Sequence, residues 1–209
     1  LSINTRICLV QKFYFVLIFT VIHAQYNFSN GGSITSLLTP LGIQIVDNKM
    51  VYMPTSGGLL QLNIETEEFH FIKIEKGLRY IDLSSISLDS KNRLWLGSNS
   101  PKGFLQVYDP NLGLVRYFTD DLLFSIDRIE IGENIAFAVY TGIVSGDIGI
   151  LKFTFDQDGL PDYQDYFTNF TEEQISSIHD LDIFQDSVYV TTDQGIFAAD
   201  YSDNLKSSN

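Results

Sequence analysis

Histidine and cysteine, the residue types that most often carry catalysis or bind metals, are scarce in this chain. The sequence has three histidines, His23, His70 and His179, and a single cysteine, Cys8. A zinc site needs three or four converging nitrogen, sulfur or carboxylate ligands, and nucleophilic catalysis needs a base beside the nucleophile. His70 and His179 are far apart in the sequence, and neither has a thiol near it. We therefore expect both to be ordinary strand or loop residues.

Carboxylates are plentiful, because the chain has 26 Asp and Glu residues. A pair of such acids could cleave a glycosidic bond, with one acting as acid and the other as base or nucleophile. However, Asp89, Asp109, Asp182 and Asp200 all stand at or near the ends of short apolar segments, where aspartate commonly forms turns. Their positions favour a structural role over a catalytic one.

One acidic run, from Asp156 to Asp162, partly resembles a calcium-binding loop. Calcium loops alternate carboxylates around a glycine, so that several hard oxygen ligands converge on one ion. This run has two alternating acids before Gly159 instead of three, and Pro161 follows where the loop should continue. We expect a hairpin turn between two strands here.

The chain also lacks the short motifs of common enzymes. It contains no Gly-x-Ser-x-Gly motif and no phosphate-binding loop, and Ser56-Gly57-Gly58 is typical of a hairpin turn. The sequence therefore predicts no catalytic, cofactor-binding or metal-binding residues. We expect a protein that is not an enzyme and that uses no cofactor.

The charge of the chain excludes some classes of partner. Its formal net charge is −13 and its pI is near 4.4. Binding to nucleic acid or to an anionic membrane surface requires clustered Lys and Arg. The acidity indicates neither, and it leaves a protein or a surface glycan as the expected partner.

The first 24 residues have the pattern of a signal peptide. Arg6 and Lys12 precede an apolar run of ten residues, 13–22, and Ala24 supplies a small residue for cleavage. Such a run is too short to span a bilayer as a helix. We therefore expect a mature chain that begins at Gln25 and lacks Cys8. An exported protein without cysteine fits the bacterial periplasm or outer cell surface.

A repeat runs through the rest of the sequence. Each copy has a glycine followed by an apolar strand, and the four glycines are 45, 46 and 46 residues apart. A single glycine before an apolar run means little, but four at a nearly constant spacing indicate a repeat architecture. The four glycines are Gly58, Gly103, Gly149 and Gly195.

Each repeat contains three further strand-like segments. The segment before the glycine carries an aromatic residue, and this aromatic is Tyr52, Trp95, Phe137 or Tyr189 in successive copies. An alternating apolar segment precedes it, and a fourth segment follows the glycine strand in the first three copies. Four short strands in about 46 residues, with no helical period, predict blades of a β-propeller.

The sequence thus predicts an all-β fold in which residues 25–209 form about four blades of four-stranded antiparallel sheets. A single blade buries its apolar faces only by stacking on its neighbours. We therefore expect Trp95 and its counterparts to pack between blades. Because the fourth repeat lacks its last strand, we expect a partial propeller that belongs to a larger one. A four-bladed ring closed by residues 25–28 is the alternative.

The second copy carries the residues of a known repeat. Asn92-Arg93-Leu94-Trp95-Leu96-Gly97-Ser98, with Gly103 to Asp109, resembles the two-component-regulator propeller repeat. The region from about residue 25 to 209 also resembles the N-terminal propeller of PorZ-type surface proteins of the type IX secretion system. This resemblance rests on strand patterning and implies fold and compartment. It transfers no functional residue.

Three functions follow as hypotheses. The first is a non-enzymatic exported propeller that acts as a scaffold or binding module, with type IX secretion and cell-surface attachment as its setting. The second is the extracellular sensor propeller of a two-component receptor, and the third, less favoured, is a carbohydrate-active enzyme. The sequence after Asn209 would discriminate the first two. We expect any ligand on the face formed by the loops between the second and third strands of the blades, which are lengthened at 99–102 and 141–147.

Overall fold

The structure is a computed structural model that describes residues 39–145, 147–168 and 175–202. The expected signal peptide, residues 1–24, and the start at Gln25 lie outside this part of the chain. The described residues form fifteen strands in chain order, with one short 3₁₀ turn at Ile74–Lys76. The strands are β1 Gln44–Val46, β2 Met50–Thr55, β3 Gly58–Asn63, β4 Glu68–Ile72, β5 Asp82–Leu88, β6 Leu94–Ser100, β7 Phe104–Asp109, β8 Gly113–Thr119, β9 Leu123–Ile131, β10 Ile135–Gly142, β11 Ile148–Phe155, β12 Pro161–Phe167, β13 Ile178–Phe184, β14 Ser187–Thr192 and β15 Gly195–Asp200.

The strands form four antiparallel meanders, which are the four predicted repeats. Blades 1, 2 and 3 are four-stranded sheets with strand orders β1-β2-β3-β4, β5-β6-β7-β8 and β9-β10-β11-β12. Blade 4 is a three-stranded sheet, β13-β14-β15, within the described residues. Following their order in each blade, we name the strands A, B, C and D. The A strands of consecutive blades contact each other, so the blades are arranged side by side. The predicted all-β architecture is confirmed.

The hydrophobic core lies between blades, and its three parts follow the alternation of side chains along the strands. Cross-strand partners share a face of a sheet, so each blade has one face toward the previous blade and one toward the next. One cluster joins blades 1 and 2, a second joins blades 2 and 3, and a third joins blades 3 and 4. Stacking therefore buries the apolar faces that a single sheet would expose.

Three of the four B-strand aromatics pack between blades, as the sequence predicts, and each of these three faces the next blade. Trp95 is fully buried and packs with side chains of blade 3, including edge-to-face contacts with Phe153 and Phe155. Tyr52 and Phe137 are equally buried, in the clusters toward blades 2 and 4. Tyr189, by contrast, is 39% exposed, because none of the described residues forms a blade beyond blade 4.

The repeated glycine is required where the C strand begins. Gly58 has φ of 129°, which is a conformation that L side chains rarely adopt. At Gly149 the constraint is steric, because a Cβ atom would overlap the carbonyl oxygen of Phe167 and the ring of Tyr140. The constant spacing in the sequence therefore has a local physical cause.

Two A strands are longer than the sequence indicates. β5 begins at Asp82 and β9 at Leu123, although only their second halves show a clear apolar alternation. Ser84 and Ser85 are buried because their Oγ atoms donate to the carbonyl oxygen of Ile126 in blade 3, at 2.5 and 3.1 Å. These hydrogen bonds between blades satisfy the buried serine hydroxyl groups. The segment can therefore be a buried strand although its polar sequence is typical of a loop.

Candidate functional site

The structure places the two histidines of the described region on exposed strand positions of different blades. His70 lies in β4 of blade 1, and His179 lies in β13 of blade 4. Across the described ranges, no group of three or more His, Cys, Asp or Glu side chains is arranged to hold a metal ion. The histidines are strand residues, as expected.

The run from Asp156 to Asp162 is the C–D turn of blade 3 and the start of β12. Asp156 Oδ1 accepts from the backbone N–H groups of Asp158 and Leu160, both at 2.9 Å. Its Oδ2 accepts from Arg116 Nη2 at 2.5 Å, and these bonds lower the pKa of the Asp156 carboxyl. The carboxylate oxygens that a calcium ion would need are therefore already bonded.

Cations from blade 2 hold the carbonyl oxygens of the same turn. Arg93 donates to the carbonyls of Asp158 and Gly159, and Lys91 Nζ donates to that of Asp158 at 2.6 Å. The turn thus joins blades 2 and 3, which is a structural role.

Asp89 also has a structural role, as the acidic-turn interpretation predicts. It is buried, and its Oδ2 accepts from Arg93 Nε at 2.7 Å and from Trp95 Nε1 at 3.2 Å. Its Oδ1 accepts from the backbone N–H groups of Lys91 and Arg93. Asp109 likewise caps the C–D turn of blade 2, through the N–H groups of Asn111 and Leu112.

The edge of the sheets that carries the B–C and D–A connections is the face on which the sequence predicts a ligand. The B–C connections of blades 2 and 3 are residues 101–103 and 143–147, shorter than the sequence suggests because β6 and β10 continue to Ser100 and Gly142. The Ile143 N–H donates to the carbonyl oxygen of Leu122 at 2.9 Å, so the B–C loop of blade 3 lies beside the connection from blade 2.

Four large apolar side chains are exposed where these two connections meet. They are Leu122 (53%), Phe124 (56%), Ile143 (59%) and Val144 (65%), and we call them the B–C patch. Exposed apolar clusters on a soluble protein commonly mark an interaction surface. The sequence drew attention to the loop at 141–147 but not to Leu122 or Phe124, since the contact between the connections is tertiary.

Charged side chains surround the B–C patch. Asp120 and Asp121 come directly before it in the sequence, and Asp147 closes the B–C loop by accepting the N–H of Gly142 at its carbonyl. Lys102 Nζ pairs with Asp121 Oδ1 at 2.8 Å, at the surface of the protein. An apolar centre with a polar rim is the usual anatomy of a protein–protein interface.

Within the part of the chain that the structure describes, the cleft found at this edge is small. The cleft beside Leu122, which Tyr140 and Tyr163 help to line, has a volume of about 30 Å³. Small-molecule sites are typically about ten times larger or more. The geometry therefore suits a macromolecular partner better than a small ligand.

Solved structures with the same arrangement of blades are known. PorZ, a bacterial surface component of the type-IX secretion system of Porphyromonas gingivalis, matches with a TM-score of 0.60 and 18% identity, over 85% of this chain and 27% of PorZ. The extracellular domain of a hybrid two-component system from B. thetaiotaomicron matches with a TM-score of 0.54 and 19% identity, over 80% of this chain and 24% of that one. The extracellular domain of a one-component system from B. thetaiotaomicron matches with a TM-score of 0.50 and 14% identity, over 73% and 20%.

These similarities agree with the blades seen here. The fold is that of a β-propeller. This chain spans about a quarter of the length of the PorZ and two-component structures. No protein-family model matches the sequence, and no curated protein matches it significantly. In the part of the chain that the structure describes, no helix is long and apolar enough to cross a membrane.

Proposed function

We propose that this protein is an exported, non-enzymatic β-propeller that binds a protein partner through the B–C patch. The observation that carries the proposal is the exposure of Leu122, Phe124, Ile143 and Val144 at one edge of adjacent blades. Four side chains of this size, each more than half exposed, lie at the start of β9 and in the adjoining connections, and burial against a partner would be favourable for them.

The acidic residues beside the B–C patch indicate the charge that a partner surface should carry. Asp120, Asp121 and Asp147 border the patch, and the chain as a whole is strongly acidic. A partner with an apolar centre and a basic rim would gain complementary charge, which chiefly speeds association and improves specificity.

The cellular setting is proposed from the resemblance to extracellular propeller domains. A scaffold or attachment role in type IX secretion is our first hypothesis, and an extracellular sensor propeller of a two-component receptor is the second. Both place the protein at the periplasm or outer cell surface, with a mature chain starting at Gln25. Mass spectrometry of the exported protein checks this start, because a retained residue 1–24 segment would contradict it.

Site-specific photo-crosslinking in the native host tests the binding surface. A photoreactive phenylalanine analogue is placed at Phe124 or Ile143, and separately at Ile64. Ile64 is a similarly exposed apolar residue in the C–D turn of blade 1, on the opposite edge. We expect one discrete adduct from Phe124 and Ile143 that excess purified wild-type protein competes away. The Ile143→Asp protein should fail to compete, since a charge would enter the apolar centre.

Crosslinking that does not depend on the B–C patch would contradict the proposal. Equal adducts from Ile64, or unimpaired competition by Ile143→Asp that retains the wild-type melting temperature, would show that the B–C patch is not the binding surface. Turnover of a glycan substrate by the purified protein would instead support the hypothesis of a carbohydrate-active enzyme.

A further inference from the structure

A groove of about 330 Å³ lies between blades 1 and 2, on the edge opposite the B–C patch. The A–B turns of both blades and the C–D turn of blade 2 form its walls, through Asp47, Asn92 and Asp109–Asn111. Its volume falls within the range of small-molecule sites. Nothing in the function proposed above uses this groove.

A hydrogen bond between turns of different blades builds the groove. Asn92 has a left-handed backbone with φ of 59°, and its Nδ2 donates to Asp47 Oδ1 at 2.9 Å. The backbone N–H groups of Asn111 and Leu112 likewise both donate to Oδ1 of Asp109. Among the described residues, Asp47 Oδ2 and Asp109 Oδ2 therefore have no protein donor, and both residues line the groove. They are available as acceptors for a ligand.

The groove also contains an unused donor that is anchored deep in the core. Tyr52 is 1% exposed, lines the groove, and its hydroxyl oxygen accepts from Gln61 Nε2 at 2.8 Å. No acceptor for the hydroxyl hydrogen is found in the described part of the chain. If the Gln61 amide is turned over, its own N–H groups become the unused donors, so the pair keeps a donor in either arrangement.

The chemistry of these groups limits the ligand to one class. A carboxylate or phosphate ligand would be repelled by Asp47 and Asp109. A basic side chain has only donors, so it would leave the Tyr52–Gln61 donor unmatched. Hydroxyl groups both donate and accept, and Val46, Met50 and Pro110 supply apolar surface for C–H groups. We propose that this inter-blade groove binds a neutral sugar, with Asp47, Asp109 and the Tyr52 hydroxyl as its polar contacts.

The Tyr52 phenol is in the protonated form that this role needs. A phenol is neutral at physiological pH, and desolvation raises the pKa of Tyr52 further. Because the ring belongs to the core between blades 1 and 2, the hydroxyl is held in a fixed position before any ligand arrives.

Amide-detected NMR titration of the purified exported protein tests the proposal. The probes are lactose, maltose and cellobiose at millimolar concentrations, with glucuronate and lysine methyl ester as anionic and cationic comparisons. We expect at least one disaccharide to shift the side-chain amides of Asn92 and Asn111, and neither charged probe to do so. The affinity of Tyr52→Phe should fall by about tenfold, the effect of losing one hydrogen bond of roughly 1.4 kcal/mol.

Tyr108→Phe is the matched control. Tyr108 belongs to the same core, but its hydroxyl donates to the Lys76 carbonyl at 3.4 Å and does not line the groove. It should keep wild-type affinity, and both variants should keep near-native melting temperatures. The proposal is overturned if no disaccharide shifts the groove amides, if a charged probe does so instead, or if Tyr52→Phe and Tyr108→Phe bind equally well.

Discussion

Trp95 is the residue whose removal should cost the fold most. It is fully buried, and its ring contacts Phe153 and Phe155 edge-on with centroid distances of 6.2 and 5.8 Å. We predict that Trp95→Ala lowers the free energy of unfolding by about 3–5 kcal/mol, because a large cavity would open between blades 2 and 3. Chemical denaturation measures this change.

Leu112→Ala is the control for that measurement, since Leu112 is highly exposed and its truncation should change stability by less than about 0.5 kcal/mol. A Trp95→Ala protein that melts like the wild type but no longer binds its partner would instead show a functional role for Trp95.

Glu130 should make stability depend on pH. Desolvation raises the pKa of this carboxyl, and the nearby Asp182 and Asp180 raise it further. A carboxyl with a raised pKa in the folded state stabilises the fold below its unfolded pKa of about 4.3, and this contribution is lost as the pH rises through the folded value. We predict that Glu130→Gln gains up to ~1 kcal/mol at pH 7 and nothing below pH ~4.

Thermal melts at the two pH values check this prediction, with Glu67→Gln, at an exposed position in blade 1, as the control. A stability gain of equal size at both pH values would mean that packing, and not ionisation, is responsible.

At the scale of elements, the buried pair of Asp89 and Arg93 joins blade 2 to the C–D turn of blade 3. Each side chain is less than one tenth exposed, and Arg93 also donates to the carbonyls of Asp158 and Gly159. Removing one partner leaves an uncompensated buried charge. We predict that Arg93→Met costs roughly 3–5 kcal/mol and that the double variant with Asp89→Asn recovers part of this loss.

The neighbouring exposed cation provides the comparison in the same denaturation experiment. Lys91→Met should cost less than about 1 kcal/mol, although Lys91 also donates to the Asp158 carbonyl. Equal losses for the two variants would contradict a special role for the buried pair.

The blades could be predicted from the sequence because each repeat has local requirements. A glycine is needed at or next to the start of the C strand, as at Gly149, and the B strand carries an aromatic residue that packs between blades. The first halves of β5 and β9 could not be predicted, because Ser84 and Ser85 are polar and find their acceptor, the Ile126 carbonyl, in another blade. Alternation within one repeat contains no information about such a partner.

The candidate sites were predictable only in part, for the same reason. The length of the 141–147 loop is visible in the sequence. Leu122 and Phe124 join the B–C patch only through tertiary structure, which the sequence does not show. The inter-blade groove brings Asp47 next to Asn92, which is 45 residues away in the sequence. Neither residue has a sequence environment that distinguishes it from an ordinary turn.

At the scale of the whole molecule, the two outer blades have apolar faces without a neighbour in the described region. On blade 1 this face includes the exposed Ile45, Phe69 and Phe71, and on blade 4 it includes Tyr189 and Ile196. Faces of this kind are normally covered by another blade. They support our expectation that these blades belong to a larger propeller.

We therefore predict that the purified protein of residues 25–209 self-associates. Sedimentation velocity should detect oligomers, and Phe69→Ser with Phe71→Ser should shift the population toward the monomer because it removes exposed apolar surface. Leu112→Ser, which changes an exposed residue outside these faces, should not. A monomeric wild type with a cooperative melt and protected amides at residues 25–28 would show that the partial-propeller expectation is wrong.

Binding of a partner at the B–C patch should slow amide exchange there. Hydrogen exchange is therefore measured on the protein alone and with the partner identified by crosslinking. We predict slower exchange in the B–C connections of blades 2 and 3 and in residues 120–124, with no change in the turn from Asp156 to Asp162 when calcium is added. If only that turn is protected, and only with calcium, while exchange in the B–C connections is unchanged, the partner does not bind at the B–C patch.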